Sequence, residues 1–299
     1  MKATTKRRRV KPKANGRLKT RGGDGAATTE VKAPAPAKRT AARPRRGRRV
    51  AEIPLEERRF FGSVLPGCDP QELSGSLIVI EGTDGSGRST QIALLKEWLE
   101  SEGFPVQTMG LRRSNLVAKD IDNLLAENTV TRLTLALMYA TDFFDQLEHR
   151  IIPALRSGMV VLADRYIYTL IARSAVRGLA RDYLHGLYEM ALRPDLTFWL
   201  KVGPQVAFER EFKKANAISY WEAGRDMSLS SDLYRSFIRY QQMVRAQFEH
   251  LNRRHAFEAI DGEQAIPAIN LALRRRIAQH LGIRRTQYKP SSALSHLWR

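Results

Sequence analysis

Cysteine is almost absent from this 299-residue chain: Cys68 stands alone, which excludes an intramolecular disulfide framework and any multi-cysteine metal knuckle and fits a reducing compartment. Nowhere do 18 apolar residues run together, so no membrane-spanning helix is expected. The N-terminus lacks the apolar core of a secretory signal. It also has no serine before Ser63 and is interrupted by Pro34, Pro36 and Pro44, unlike an amphipathic, Ser-rich presequence. A cytoplasmic protein without membrane contact is the expectation. The six histidines show no metal-ligand spacing, and no repeat of solenoid or propeller length recurs.

Acidic residues are scarce at one end only. Residues 1–50 carry 18 Lys and Arg against Asp24 and Glu30, whereas residues 51–299 carry 32 basic against 29 acidic side chains. The formal charge of +19 therefore belongs almost wholly to the first fifty residues. That segment has too few large apolar side chains to offset backbone ordering, so it reads as a disordered basic tail. Such a polyelectrolyte is suited to nonspecific, salt-sensitive contact with nucleic acid. Residues 51–74 read as a linker or arm, with turns at Pro66-Gly67 and Asp69-Pro70, and residues 284–299 as a basic C-terminal tail.

Between them, residues 75–283 alternate short apolar runs with longer segments of helical period, and a hydrophobic content of 43% is enough for a core. The runs are 77–81, 106–110, 159–163, 196–202 and 257–260. Helices are expected near 88–101, 115–126, 131–156, 167–192, 204–214, 231–253 and 263–281. Nearly continuous apolar strands separated by helices specify an α/β fold: a five-stranded parallel sheet with helices on both faces.

The first strand runs into Gly82-Thr83-Asp84-Gly85-Ser86-Gly87-Arg88-Ser89-Thr90 and then into a helix. This is G-x-x-x-x-G-[KR]-[ST] in its required strand, loop and helix setting, where backbone N–H groups and a helix N-terminus cradle phosphate. Ser89 is placed to ligate Mg²⁺ through its hydroxyl. Arg88 stands where the pattern usually has lysine. It keeps the charge but is longer and planar, and if it only replaces that charge, Arg88→Lys should keep activity within about tenfold. A second signal closes the third strand, where Asp164-Arg165-Tyr166 emerges at the carboxyl edge, the place where open parallel sheets bind ligands. Asp164 is a candidate metal ligand and Arg165 a candidate phosphate clamp. Arg173 and Arg177, at i, i+4, fit either substrate contact or a solvated helix face. Arg274 to Arg276 read as solvated surface.

The string from Glu81 to Gln91, with Asp164-Arg165-Tyr166-Ile167 and Pro194-Asp195-Leu196-Thr197-Phe198, resembles the thymidylate kinase family over residues 75–281. The resemblance implies a P-loop NTPase fold with strand order 2-3-1-4-5. It implies transfer of the ATP γ-phosphoryl group to a deoxynucleoside monophosphate, dTMP first, with Mg²⁺ and as a homodimer. It puts Asp84 near the sugar 3′-hydroxyl, Arg165 on the acceptor phosphate and Tyr139 against the base. At the monophosphate site the position of the family's base-bonding arginine falls on Phe143, or on Gln146 if the match slips to Asp145, so the usual donor to thymine is missing and base selectivity rests on other residues. Lys201 stands where relatives commonly carry Asp.

A lid should cover the phosphates. The candidate is residues 216–231, with Arg225 as the catalytic cation, Lys213 and Lys214 behind it, and Glu222 or Asp226 serving the metal. The competing reading is a catalytically impaired nucleotide-binding protein that associates with nucleic acid through its tail.

Overall fold

The computed structural model describes residues 59–283. The basic tail of residues 1–50, residues 51–58 of the expected arm and the C-terminal segment 284–299 lie outside the described residues. Five strands form one parallel sheet: β1 (Ser76–Gly82), β2 (Val106–Gly110), β3 (Val160–Asp164), β4 (Leu196–Lys201) and β5 (Glu258–Asp261), in the order β2-β3-β1-β4-β5. That is the order the resemblance implies.

Side-chain alternation explains how both faces are covered. On β1, Leu77 and Val79 enter one core while Ile78 and Ile80 enter the other. Val161 and Ala163 of β3 join the first, and Val160 and Leu162 the second. Because strand neighbours point to opposite faces, a strand covered on both sides must be apolar throughout. Helices α1 (Arg88–Ser101) and α9 (Ile266–Leu281) cover the second face, with Trp98, Leu99, Leu273 and Ile277 buried there. The first face is covered by α3 (Arg132–Gln146), α5 (Ile167–Val176) and α8 (Leu233–His255). The other α-helices among the described residues are α2 (Ala118–Glu127), α4 (Ile152–Arg156), α6 (Arg181–Leu187) and α7 (Pro204–Ala215). Among the described residues no helix is long and apolar enough to cross a membrane.

Three expectations need correction. The helix expected over 167–192 is two, α5 and α6, separated at Gly178, whose φ of 93° suits glycine and ends the first helix. The helix expected over 131–156 contains a π-helical turn, Leu147–Ile151, between α3 and α4. Arg274 is not solvated surface: it is 5% exposed, with its guanidinium 5.1 Å from the Trp98 ring centre. Arg276 pairs with Glu258 at 2.6 Å.

The described part of the arm is anchored. Phe60 is buried and bridges Leu192, and Arg59 pairs at 2.8 Å with Asp195, which also accepts from the Leu77 N–H at 2.7 Å. Asp195 thus ties the chain before β1 to the chain before β4.

Near this arm, His255 gives the fold a pH-dependent element. Its Nε2 is buried without a hydrogen-bond partner, and its ring meets Phe61, Tyr168 and Phe257. Burial, with Arg254, His185 and Arg193 nearby, lowers its pKa to about 4. Between the ordinary histidine value and about 4 the unfolded chain binds the proton more readily, so stability is present above pH 6.5 and falls as pH falls. We expect His255→Phe to remove a loss of about 2 kcal/mol over that window, allowing for partial exposure, as read by urea unfolding at pH 7 and pH 4.5.

Candidate active site

The loop between β1 and α1 and the end of β3 lie side by side because β1 and β3 pair in parallel register, Ile80 opposite Asp164. Both open on a cavity of about 580 Å³ lined by Asp84 to Thr90, Asp164 and Arg165. From elsewhere in the chain come Arg112, Arg113, Arg210, Glu211, Lys214 and Glu222. Six basic side chains face four acidic ones there, a balance suited to a polyanion. Gly82 and Thr83 lie behind the cavity wall, where their carbonyls accept from Arg88.

Arg88 is only 7% exposed. Its Nε donates to Asp164 Oδ1 at 3.0 Å. Its Nη1 donates to Gly82 O at 2.6 Å, to Ser86 Oγ at 2.8 Å and to Thr83 O. The guanidinium therefore braces the inside of the loop and ties it to the end of β3. Asp164 Oδ2 accepts from Ser89 Oγ at 2.7 Å. Burial alone would raise the Asp164 pKa, but the charges of Arg88 and Arg165 outweigh it and hold the group as carboxylate. A hydroxyl and a carboxylate oxygen thus meet at the cavity. Among the described residues no group of three or more His, Cys, Asp or Glu side chains is placed to hold a metal. The pair fits a hard cation that draws its other ligands from phosphate and water, as Mg²⁺ does.

Asp84 is buried and fully engaged. Both its oxygens accept from Arg173 Nη2 at 2.7 Å, Oδ1 also accepts from Arg165, and Oδ2 accepts from Gln241 Nε2 at 3.2 Å. Burial disfavours the charge, yet Arg173, Arg165 and Arg88 drive the pKa far below the usual carboxylate range. Arg165, at φ 74°, is held by its own N–H on Ile80 O at 3.1 Å. Burial and the nearby Arg88 and Arg173 lower its pKa to about 10, so it remains cationic at neutral pH. Glu81 supports this turn from within the sheet. It accepts from the N–H groups of Tyr166 and Thr169 at 2.9 and 3.1 Å and from the Thr169 hydroxyl at 2.5 Å. Its carboxyl thereby caps the N-terminus of α5, and burial raises its pKa.

The family model for thymidylate kinase matches residues 80–259. The chain belongs to the thymidylate kinase family. It is similar to the probable thymidylate kinase 2 of Saccharolobus solfataricus, 34% identical over 210 residues, covering 70% of this chain and 98% of the relative. The thymidylate kinase of Caldicellulosiruptor saccharolyticus is 35% identical over 144 residues, 46% of this chain and 70% of the relative. That of Caldanaerobacter subterraneus is 27% identical over 216 residues, 70% and 98% respectively. The family is one of phosphotransferases, and the protein is a nucleoside monophosphate kinase by class.

Two expected site residues of this kinase lie elsewhere. Phe143 is 1% exposed and packs edge-to-face on Tyr166 and Tyr188. It belongs to the core under α3, because an apolar ring at that helix position gains more from burial than from a solvated cleft. Arg225 is not among the residues lining the 580 Å³ cavity. Its Nη1 donates instead to Ser230 O and Ser231 O, at 3.1 and 2.8 Å, and closes its own loop. The lid-side cations at the cavity are Arg210 and Lys214 of α7.

Tyr139 lines a separate small cavity of about 30 Å³ with Leu170, Arg173, Arg177 and Trp221. That is room for a water or two. Trp221 closes it from the lid segment, its Nε1 donating to Leu125 O at 2.9 Å. Arg177 anchors the same segment: it donates to both oxygens of Asp226 at 2.9 and 3.1 Å, to Trp221 O at 3.2 Å and to Tyr240 Oη at 2.6 Å. Asp226 is therefore a lid anchor in this geometry, and Glu222 is the lid carboxylate at the large cavity. Lys201 lies 4.9 Å from the Trp199 ring centre, a cation–π contact outside the site.

Sequence reasoning missed Glu81, Arg112, Arg113, Arg210 and Gln241. Arg112 and Arg113 follow β2 after Leu111, at the carboxyl edge of the sheet, so the rule that found Asp164 also reaches them. Nothing local marks Gln241, in the middle of α8.

Proposed function

We propose that the kinase transfers the γ-phosphoryl group of ATP to a deoxynucleoside monophosphate, dTMP first, with Mg²⁺. The observation that carries this reading is the convergence of Ser89 with Asp164, and of Arg165 with Asp84, on one cationic cavity at the carboxyl ends of adjacent parallel strands. In this reading the loop N–H groups and α1 bind the donor phosphates, and Arg88 holds the loop in shape. Asp164 and Ser89 would hold Mg²⁺, which supplies charge neutralisation on the phosphate oxygens.

The transfer is direct and in line. An oxygen of the acceptor phosphate attacks the γ-phosphorus, its bond to the β–γ bridging oxygen breaks, and ADP departs, with no enzyme intermediate. Arg165 orients the acceptor phosphate, with Arg173 and Asp84 fixing the guanidinium. Asp84 faces the sugar, and Tyr139 stacks on the base. Because the space at Tyr139 is too small for a pyrimidine ring, the Trp221 segment must swing aside for the acceptor to enter. Lys214 and Arg210 add positive charge from the lid side. The protein acts as a cytoplasmic homodimer in this reading, its basic tail free for nonspecific contact with nucleic acid.

The test is ADP release by the full chain with each of the common monophosphates. dTMP should give the highest kcat/KM. ATP binding without turnover of any monophosphate, together with DNA retention that weakens steeply with salt, would instead identify a nucleotide-binding protein acting through its tail.

A further inference from the structure

Helix α7 meets the phosphate loop twice. Ala207 is fully buried beneath Gly85, where φ is 73° and an added Cβ would stand 2.4 Å from the Ala207 carbonyl oxygen. One turn on, and so on the same face of the helix, Glu211 reaches the same glycine: its Oε1 accepts from the Gly85 N–H at 2.8 Å. The glycine that lets α7 approach also presents its amide to an acid.

A carboxylate at this point is out of keeping with a cavity for polyanions. Two of the other acids at the cavity are neutralised by cations, Asp84 by Arg165 and Arg173, and Asp164 by Arg88. Glu211 instead accepts from main-chain N–H of the glycine-rich loop, the kind of group that receives phosphate oxygens. We propose that Glu211 is an internal competitor for the donor phosphates, its carboxylate occupying the Gly85 N–H until a polyphosphate displaces it. The inference rests on the ATP-donor reading above. Once Glu211 swings out, α7 still offers Arg210 and Lys214 to the cavity, so displacement turns this side of the site from mixed charge to cationic. The cost of displacement falls equally on the ground state and the transition state, so it belongs in KM and not in kcat.

The experiment is calorimetric titration of the full-length protein with ADP and with inorganic pyrophosphate, for wild type, E211A, E211Q and E209A. Glu209 is an exposed acid on the same helix outside the cavity, and E209A controls for loss of charge at a distance. E211A should bind both probes about tenfold more tightly, or about 1.4 kcal/mol. E211Q, which keeps an acceptor oxygen and loses the charge, should also bind more tightly than wild type, and E209A should match wild type. In turnover, E211A should lower the KM for ATP with kcat within about twofold. Should E211A fold poorly, E211Q carries the comparison. Equal or weaker binding in a folded Glu211 variant, or the same gain in E209A, overturns the proposal. If neither wild type nor E211A binds ADP, it is the donor-site reading that fails.

Discussion

Arg165→Ala is expected to lower kcat roughly 10³-fold, about 4 kcal/mol of barrier, while the protein remains folded. The size follows from the chemistry, since a fixed guanidinium placed to oppose charge on a transferring phosphoryl group supplies several powers of ten in rate. Survival of the fold follows from what remains. Asp84 keeps both bonds from Arg173 at 2.7 Å and the amide of Gln241 at 3.2 Å, so no buried carboxylate is left unpaired. The main-chain bond from residue 165 to Ile80 O does not depend on the side chain. Alanine and arginine meet the same steric demands at φ 74°. Steady-state kinetics with ATP and dTMP, beside thermal unfolding of the same preparation, make the check. Unchanged kinetics would remove Arg165 from the reaction.

Arg88→Lys is expected to cost more than loss of a planar group at constant charge. The guanidinium bonds Asp164, two loop carbonyls and the Ser86 hydroxyl at once. One ammonium on a shorter stem cannot span that set, so the carboxylate or a carbonyl is left short of a partner while buried. Each such loss costs about 1–3 kcal/mol. We expect kcat/KM to fall roughly 10- to 100-fold and unfolding stability to fall by about 1–3 kcal/mol, measured by turnover and by urea titration. Activity within tenfold of wild type at unchanged stability would mean that the guanidinium merely replaces a lysine charge.

Much of the architecture was legible because its causes are local. The apolar run ending in Gly82-Thr83-Asp84 marks both β1 and the loop, and α1 begins and ends where its period does, Arg88 to Ser101. The same locality misled at Gly178, since a single glycine inside a helical period is as compatible with a continuous helix as with a break. Phe143 and Arg225 show a different limit. An aromatic on an amphipathic helix has the same local pattern whether it faces a ligand or the core, and a lid arginine can bond substrate or its own loop with no change in spacing. Arg173, equally poised between solvent and substrate in the sequence, proves to be a half-buried partner of Asp84.

The sequence by itself determined the parallel sheet, the phosphate loop, the acid and base at the end of β3 and the confinement of excess positive charge to the first fifty residues. All are properties of short stretches: side-chain period, glycine placement and composition. Only the tertiary structure decided which charges share a site. Arg88 finds Asp164 across 76 positions, Gly85 finds Glu211 across 126 and Asp84 finds Gln241 across 157. A hydrogen bond or ion pair depends on separation in space, and no local pattern of residues encodes that once the chain has crossed a sheet between the partners.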